Sequence, residues 1–360
     1  MIFYISWFII TFLLVNFKSE RSNKNIIFVF ILFTLVYGCR NYGGVDDLTY
    51  ISAFENAING NLVYGVEESF LVMAKFIGAL GFNYKVIFFL YAFISFTFMY
   101  LSYKELCKNK YEWMVAILGF FVFVFLPTIT LMRQFAAASI ITYAFTLQLR
   151  NKNKTSLIFI GLACLFHLGS VIGFVLFPLF SIKLKEKTKV IAPLVCLIIG
   201  YFGFFIILLD KLAILIPNKY LGYLDKYANT EPHIGLLHVL LVTIYLLQFI
   251  LLIKNNTSTR KLSDKTIDFL ERGQMVYFSM YFITLSNGWM NRLSIYFILF
   301  LPFIFNTFIT RFSLRRDKQM LYIICFTAYL LLFVYQIINL PYSTNMSNLL
   351  PYNGSFEFMQ

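Results

Sequence analysis

Apolar runs broken by short polar segments repeat from one end of the chain to the other. Many runs approach the ~20 residues that a helix needs to cross a hydrocarbon core of about 30 Å. None shows the two-residue alternation of a transmembrane barrel strand. The pattern therefore predicts an all-α, polytopic helical membrane protein. Spans are expected at 1–17, 26–38, 84–103, 111–126, 131–149, 190–209, 234–253, 266–286, 293–310 and 320–338. The block 155–182 is too long for one span and carries no charge in its middle. It reads as two short helices meeting near 167-HLGS-170, which brings the total to about 12 transmembrane segments. The stretch 70-FLVMAKFIGAL-80 is too short to cross and carries Lys75, so an interfacial or re-entrant helix is expected there. The opening run, 1-MIFYISWFIITFLLVNF-17, has neither a basic n-region nor a small-residue cleavage site. It is expected to be a retained first span rather than a signal peptide.

Composition agrees with the pattern. Hydrophobic residues make up 60% and charged residues 13%, against about 45–50% and about 25% in soluble domains. The net charge of +13 raises the question of a nucleic-acid partner, and the positions of the charges answer it. Six short segments, 18–24, 104–110, 150–154, 183–189, 254–265 and 311–318, hold 21 of the 30 Lys and Arg residues. That is the positive-inside signal repeated at every cytoplasmic loop, so the basicity reports topology and no nucleic acid is implied. With those six segments inside, both termini fall outside. The outer side then carries the long loops 39–69 and 210–233 and the tail 340–360, all belonging to one integral-membrane domain, 1–360. The cytoplasmic stubs have little to build a site from, so the chemistry is expected to face outward.

The five cysteines, Cys39, Cys107, Cys164, Cys196 and Cys325, show no metal-like or CxxC spacing. Neither a disulfide framework nor a metal site is inferred. No DxD-like pair, P-loop, GxSxG or HExxH lies in the outer segments, so metal-independent chemistry without cofactor or ATP is expected.

What remains polar at the outer edge is specific. Arg40 in 38-GCRNYGG-44, Arg133 in 127-PTITLMRQFAAASI-140 and Arg292 in 288-GWMNRLSIYF-297 each sit at the outer end of a span. An arginine at a membrane edge costs about 2.5 kcal/mol or more on insertion scales. Snorkelling or pairing with a carboxylate is the plain explanation for one such residue. Three at equivalent depth, among Gly, Asn, Gln and Thr, point to an anion site. The planar guanidinium fork suits a diphosphate, because it binds phosphate oxygens bidentately and stays charged.

His167 lies at the turn of the expected hairpin, where it is able to donate to a phosphate or act as a base near neutral pH. His233 and His238, at the start of a span, carry less of a signal. Asp46, Asp47, Glu67 and Glu68 share the first outer loop. A carboxylate there is able to take the proton of a sugar hydroxyl, or simply to partner an arginine. Gly43 and Gly44 permit a tight turn close to a ligand. Tyr42 and the other outer-loop tyrosines Tyr50, Tyr64, Tyr220, Tyr223 and Tyr227 offer faces for sugar rings, with Glu68, Gln134 and Asn291 as polar contacts.

With these residues in view, the chain resembles the EpsG family of Wzy-type polysaccharide polymerases. The resembling elements are 40-RNYGGVDDLTY-50, 132-MRQFAAASI-140, 165-LFHLGS-170, 291-NRLSIYF-297 and the closing 340-LPYSTN-345 with 350-LPYN-353, in an order that covers nearly the whole chain. The first departs from the expected Gly-Thr-Asp by reading 43-GGVDD-47, which leaves Asp46 and Asp47 as alternative carboxylates.

The resemblance implies a GT-C-like, metal-independent glycosyltransferase at the outer face of a bacterial plasma (inner) membrane. It would join undecaprenyl diphosphate-linked oligosaccharide repeat units, donor and acceptor alike, into an O-antigen, capsule or other surface polysaccharide. Membrane lipid and a chain-length regulator are the partners it implies. Arg133 and Arg292, with Arg40, would hold the leaving diphosphate. Asp46, Asp47 or His167 would activate the acceptor hydroxyl. Two other readings use the same sequence. A flippase or other transporter of the lipid-linked oligosaccharide should leave an internal repeat and midplane ionisable groups, and neither stands out. A ligase transferring finished glycan needs the same arginines, so only its product differs.

Overall fold

Short polar segments end the helices, and at the start of one of them local chemistry fixes the boundary. Asn109 shows how. Its side chain accepts from the Tyr111 and Glu112 N–H groups at 3.0 and 3.1 Å, while Glu112 reaches back to the Lys108 N–H at 2.6 Å. This reciprocal cap satisfies donors that a helix start otherwise leaves bare. The computed structural model describes residues 1–16, 24–41, 45–63, 65–204, 211, 236–254, 265–285, 290–310, 312, 315–339 and 352–359. Among them the backbone is helical, with two isolated antiparallel bridges and no strand. Among the described residues four stretches are long and apolar enough to cross a membrane: Lys85–Leu106, Lys110–Ile129, Met290–Ile309 and Gln319–Asn339. Shorter apolar helices accompany them, among them Ile2–Asn16, Lys24–Gly38 and Asn153–Phe166.

The chain divides into two units, Met1–Val175 with Gln319–Gln360, and Leu176–Lys318. The first unit holds α1 (Ile2–Asn16), α2 (Lys24–Gly38), α3 (Val45–Ile58), α4 (Glu68–Ala79), α5 (Lys85–Leu106), α6 (Lys110–Gly119), α7 (Phe125–Ile129), α8 (Met132–Gln148) and α9 (Asn153–Phe166). A five-residue π turn, Phe120–Val124, joins α6 to α7. The turn sits just before Pro127, which has no N–H to return to the Phe123 carbonyl. Tyr37 uses the carbonyls opened nearby, donating to Phe125 O at 3.0 Å. Around this point Trp7, Phe33, Phe121 and Phe125 meet largely edge to face, at centroid distances of 4.6–5.5 Å. That is the favoured geometry for aromatic quadrupoles.

The block 155–182 is two short helices, as its length predicts. α9 ends at Phe166, a 3-10 turn covers Leu168–Val171, and α10 (Ile172–Ser181) follows, with the unit boundary inside it. The stretch expected to lie at the interface is α4. Its 12 residues rise about 18 Å, well short of a bilayer core. It buries Phe70, Ala74 and Ile77 and exposes Val72, Lys75 and Phe76. The segment 39–69, expected as a loop, contains the 14-residue α3. Together α3 and α4 cover one end of α5 and α8 through Tyr50, Phe54, Phe70, Ile87, Phe88, Tyr91 and Met132.

The tail is tied to this same end. Ser355 N–H donates to Cys39 O at 2.9 Å and Asn41 N–H to Asn353 O at 3.0 Å. Asn83 binds the tail farther on, donating to Glu357 O and Met359 O at 2.9 and 3.0 Å. Gly354 is required where it sits, because a Cβ there would lie 2.8 Å from Cys39 O. At the opposite end of α5 and α8, Arg150 pairs with Glu105.

The second unit contains α11 (Glu186–Tyr201), α12 (Leu236–Lys254), α13 (Lys265–Ile283), a 14-residue 3-10 helix (Met290–Phe303) and α14 (Ile304–Ile309). The expected span 293–310 therefore begins as 3-10 rather than α-helix, a form that rarely exceeds three or four residues. α11 and α13 approach closely at Gly200, where a Cβ would overlap the Phe282 carbonyl. Back in the first unit, α15 (Arg315–Asn339) exposes Ile323, Ile324 and Leu331, as a lipid-facing helix does. The segment 210–233, apart from Lys211, lies outside the described residues, as does the tail from 340 to 351.

Candidate functional site

Four of the sequence motifs converge at the α3–α4 end of the first unit. Arg40 follows α2 and is 2% exposed. Its Nε and Nη2 donate to Asp47 Oδ2 and Oδ1 at 3.1 and 2.7 Å, and its Nη1 donates to Tyr37 O at 2.5 Å. The guanidinium also stands over the Phe88 ring, 4.7 Å from its centroid. Asp47, in the first turn of α3, is fully buried. Burial alone works against the charge on Arg40, and Asp47 more than restores it. The pair is closed, neutral in sum and bidentate.

One turn farther along α3, Tyr50 packs beneath Arg133, whose guanidinium lies 5.1 Å from the ring centroid. The phenol is buried, which pushes its pKa up to about 12 against the opposing pull of Arg133. It therefore stays neutral at any working pH, with its oxygen accepting from Arg133. Arg133 itself opens α8. It pairs with Glu67 through Nη1 and Oε2, and its Nη2 donates to Gly65 O at 3.1 Å. Its Nε is buried with no hydrogen bond. The side chains of Arg133 and Glu67 keep 12% and 18% of their surface exposed. Unlike the Arg40–Asp47 fork, this pair is single-pronged and reachable.

Glu67 also joins the hairpin. Its Oε1 accepts from Leu168 N–H at 3.3 Å, and Ser69 Oγ donates to Leu165 O. His167, between them, is half-buried, and its Nδ1 accepts from Gly169 N–H at 3.3 Å. In the neutral ring that leaves the proton on Nε2, as a donor.

The remaining sequence candidates are spread more widely. Asp46 is half-buried beside Asp47, Gln134 is buried in the first turn of α8, and Glu68 is exposed. Tyr42 lies outside the described residues, with Gly43, Gly44 and Tyr64. Arg292 and Asn291 belong to the second unit, at the start of the 3-10 helix. Arg292 is exposed there, and Asn291 O accepts from Ser294 Oγ at 2.8 Å.

In the sequence Glu67 and Glu68 look alike, and Glu68 is the one expected to contact sugar. The signal that separates them is the helix start. Glu67 is the N-cap residue of α4 with extended backbone (φ −74°, ψ 152°), which turns its side chain back toward Arg133. Glu68 lies inside the first turn and is exposed.

Two residues of the second unit do more than their sequence context suggests. His238 stacks on Tyr281 at 3.8 Å between centroids, with its Nε2 3.1 Å from the Tyr277 hydroxyl. Arg272 pairs with Asp268 at 3.0 Å and donates to the carbonyls of Leu179, Phe180 and Ile182 at 3.2, 2.7 and 2.6 Å. It thus serves carbonyls around the end of α10 that the helix leaves unpaired. Glu186, Asp268 and Glu271 are clustered like metal ligands, their oxygens within 4.8 Å of one another. The cation among them is Lys189, fully buried, with Nζ 2.6 Å from Asp268 and 2.7 Å from Glu271.

The EpsG family profile matches residues 24–353, most of the chain. The chain belongs to the EpsG family. This is a Wzy-like family of polysaccharide polymerases, which makes the protein a membrane protein of polysaccharide biosynthesis with a glycosyltransferase-like activity on lipid-linked glycans. No curated protein and no solved structure matches it. All the EpsG-like motifs named above fall inside the matched range. Arg40, Arg133 and His167 are gathered at one end of the first unit, with Glu67 linking Arg133 to Leu168, the residue after His167.

Proposed function

We propose that the protein joins undecaprenyl diphosphate-linked oligosaccharide repeat units into a surface polysaccharide at the outer face of the plasma membrane. In this reading the chain is one GT-C-like integral-membrane body of about 12 spans with both termini outside. Basic stubs mark the cytoplasmic side, and the α3–α4 end faces out.

The observation that carries the reading is Arg133. Its fork holds one partly exposed carboxylate and one carbonyl, with the Tyr50 hydroxyl beside it, and the side chain is still partly exposed. A guanidinium offers five N–H donors, so capacity remains for a phosphate. Arg133 holds the leaving diphosphate and stabilises the charge that develops on it, the role a metal plays elsewhere; Arg292, on the second unit, is a separate diphosphate-binding candidate. Arg40 is closed on Asp47 and acts as a fixed prop beneath α3; Asp46, half-buried in the same helix turn, serves as the base. His167 Nε2–H donates to a phosphate oxygen. Gln134 and Asn291, with Tyr42 and Glu68, contact the sugars.

The chemistry balances without a nucleotide. The acceptor hydroxyl oxygen forms a bond to the donor's anomeric carbon as the bond from that carbon to the diphosphate oxygen breaks. The hydroxyl proton passes to the base, and the electron pair leaves with the diphosphate. A ligase would use the same groups and differ in acceptor.

The test is incubation of the purified protein, without added metal, with a lipid-linked repeat unit. Wild type is expected to build a product ladder. Arg133→Ala, expressed and folded in the membrane, is expected to leave single units, a loss of at least about 10² in rate by analogy with removal of an oxyanion donor. Polymer of normal length from that variant would sink the assignment.

A further inference from the structure

We infer that Glu67 is an internal stand-in for the leaving group's phosphate. It neutralises Arg133 in the empty site, and the incoming diphosphate displaces it. The inference rests on the assignment of Arg133 as a diphosphate ligand and adds a competitor to it.

The argument starts from cost. An arginine held at a membrane edge with 12% of its side chain exposed requires a counter-charge. Arg40 and Arg133 meet that need in opposite ways. Arg40 is locked by two hydrogen bonds to a carboxylate with no exposure, and nothing can reach it. Arg133 is matched through one nitrogen, to a carboxylate that is itself partly exposed. A phosphate oxygen arriving at Arg133 brings negative charge next to Glu67 in a region of low dielectric. Two anions on one fork repel. The carboxylate with one prong yields to a diphosphate able to engage the fork bidentately.

Displacement of Glu67 has a consequence built into its second oxygen. Oε1 holds Leu168 N–H, the first backbone donor after His167. The Ser69–Leu165 hydrogen bond lies on the same link, two residues farther along from Glu67. When Glu67 moves, the hairpin loses a tether, and Leu168 N–H, the backbone donor next to His167, is released toward the phosphate site. Gly65 allows the movement. It turns with φ +82°, a conformation glycine tolerates, and a Cβ there would meet nothing within 4 Å. The room is at Gly65 itself, since Val66 packs against the core cluster and the Glu67 carbonyl caps α4, so the displacement is a swing of the Glu67 side chain. Glu67 is a positioning residue in this scheme. It does not touch the reacting atoms.

The test is equilibrium binding of inorganic pyrophosphate and of farnesyl diphosphate to the full chain in nanodiscs, for wild type, Glu67→Gln, Arg133→Gln and the double variant. Glu67→Gln keeps a hydrogen-bond acceptor for Leu168 N–H and removes the competing charge. It is expected to bind about tenfold tighter, equivalent to about 1.4 kcal/mol. Arg133→Gln is expected to lose binding, and adding Glu67→Gln to it to restore none, the coupling that identifies a shared site. A gain with pyrophosphate supports displacement by the headgroup alone. A gain confined to farnesyl diphosphate supports displacement that also needs the lipid.

Binding by Glu67→Gln equal to or weaker than wild type, with Arg133→Gln still impaired, would overturn the inference and leave the polymerase reading standing. Binding unaffected by Arg133→Gln would overturn both. Should Glu67→Gln fail to fold, Glu67→Asp replaces it. The shorter carboxylate is expected to give a smaller gain, and no gain would count against the inference.

Discussion

Replacing Asp47 by Asn removes one charge and changes almost no volume, so it isolates what the Arg40–Asp47 pair contributes. In the folded protein the fork takes both Asp47 oxygens, and neither side chain has appreciable exposure. The amide that Asp47→Asn introduces offers one oxygen where two were used, and its NH₂ group faces an arginine nitrogen. Arg40 is then a buried cation whose remaining full partner is a carbonyl, Tyr37 O. Breaking a buried pair from one side costs about 3–5 kcal/mol. At roughly 2–4 °C per kcal/mol for a domain of this size, the midpoint should fall by roughly 10 °C. Two measurements are needed: thermal unfolding in detergent for Asp47→Asn, and the same for the apolar double variant Arg40→Met with Asp47→Leu. The double variant is expected to recover most of the loss, because it leaves no charge to solvate. A shift below about 1 kcal/mol for Asp47→Asn would refute the reasoning, since it would mean that water reaches Arg40. A double variant as unstable as the single one would refute it differently, by showing that shape rather than charge holds α3 in place.

Two further outcomes follow from packing and charge elsewhere. Lys189→Met should lower the yield of folded protein sharply, by about 3–5 kcal/mol in stability, because Asp268 and Glu271 lose the ammonium at 2.6 and 2.7 Å; adding Glu271→Gln should restore part of it, and monodisperse yield after detergent extraction measures both. Gly354→Val should detach the tail, since a Cβ there meets Cys39 O at 2.8 Å and the Tyr352 hydroxyl at 2.7 Å; limited proteolysis should then cleave after Tyr352 in the variant and spare wild type, and equal resistance would show that the bridge to Arg40 tolerates a side chain.

The sequence was informative where one variable decided the outcome. Apolar length located the helices, and the block 155–182, too long for one span, split at His167. It was less informative at the segment 39–69. There 45-VDDLTYISAFENAI-58 is too polar to span and reads as loop, yet it forms α3 because Tyr50, Ala53, Phe54 and Ala57 find a buried face on α4 and α5. No local property distinguishes that helix from a solvated loop, because its stability comes from its partners.

The same limit applies to the site. Arginine chemistry at the membrane edge is readable from residue type, since a charged group placed there needs a reason. Which arginine is closed and which is open is not readable. Arg40 and Arg133 look equivalent as letters. They differ because Asp47 reaches Arg40 across seven residues from inside a packed helix end, while Glu67 reaches Arg133 across sixty-six from a turn left partly in solvent.

Sequence alone determined the all-helical membrane class and the family, because hydropathy and charge act locally and add along the chain. Tertiary structure alone decided the pairing of the charges, the tether from Glu67 to the His167 hairpin and the anchoring of the tail at Arg40. Those depend on distances between segments remote in sequence, and burial then decides how strongly each pair is held.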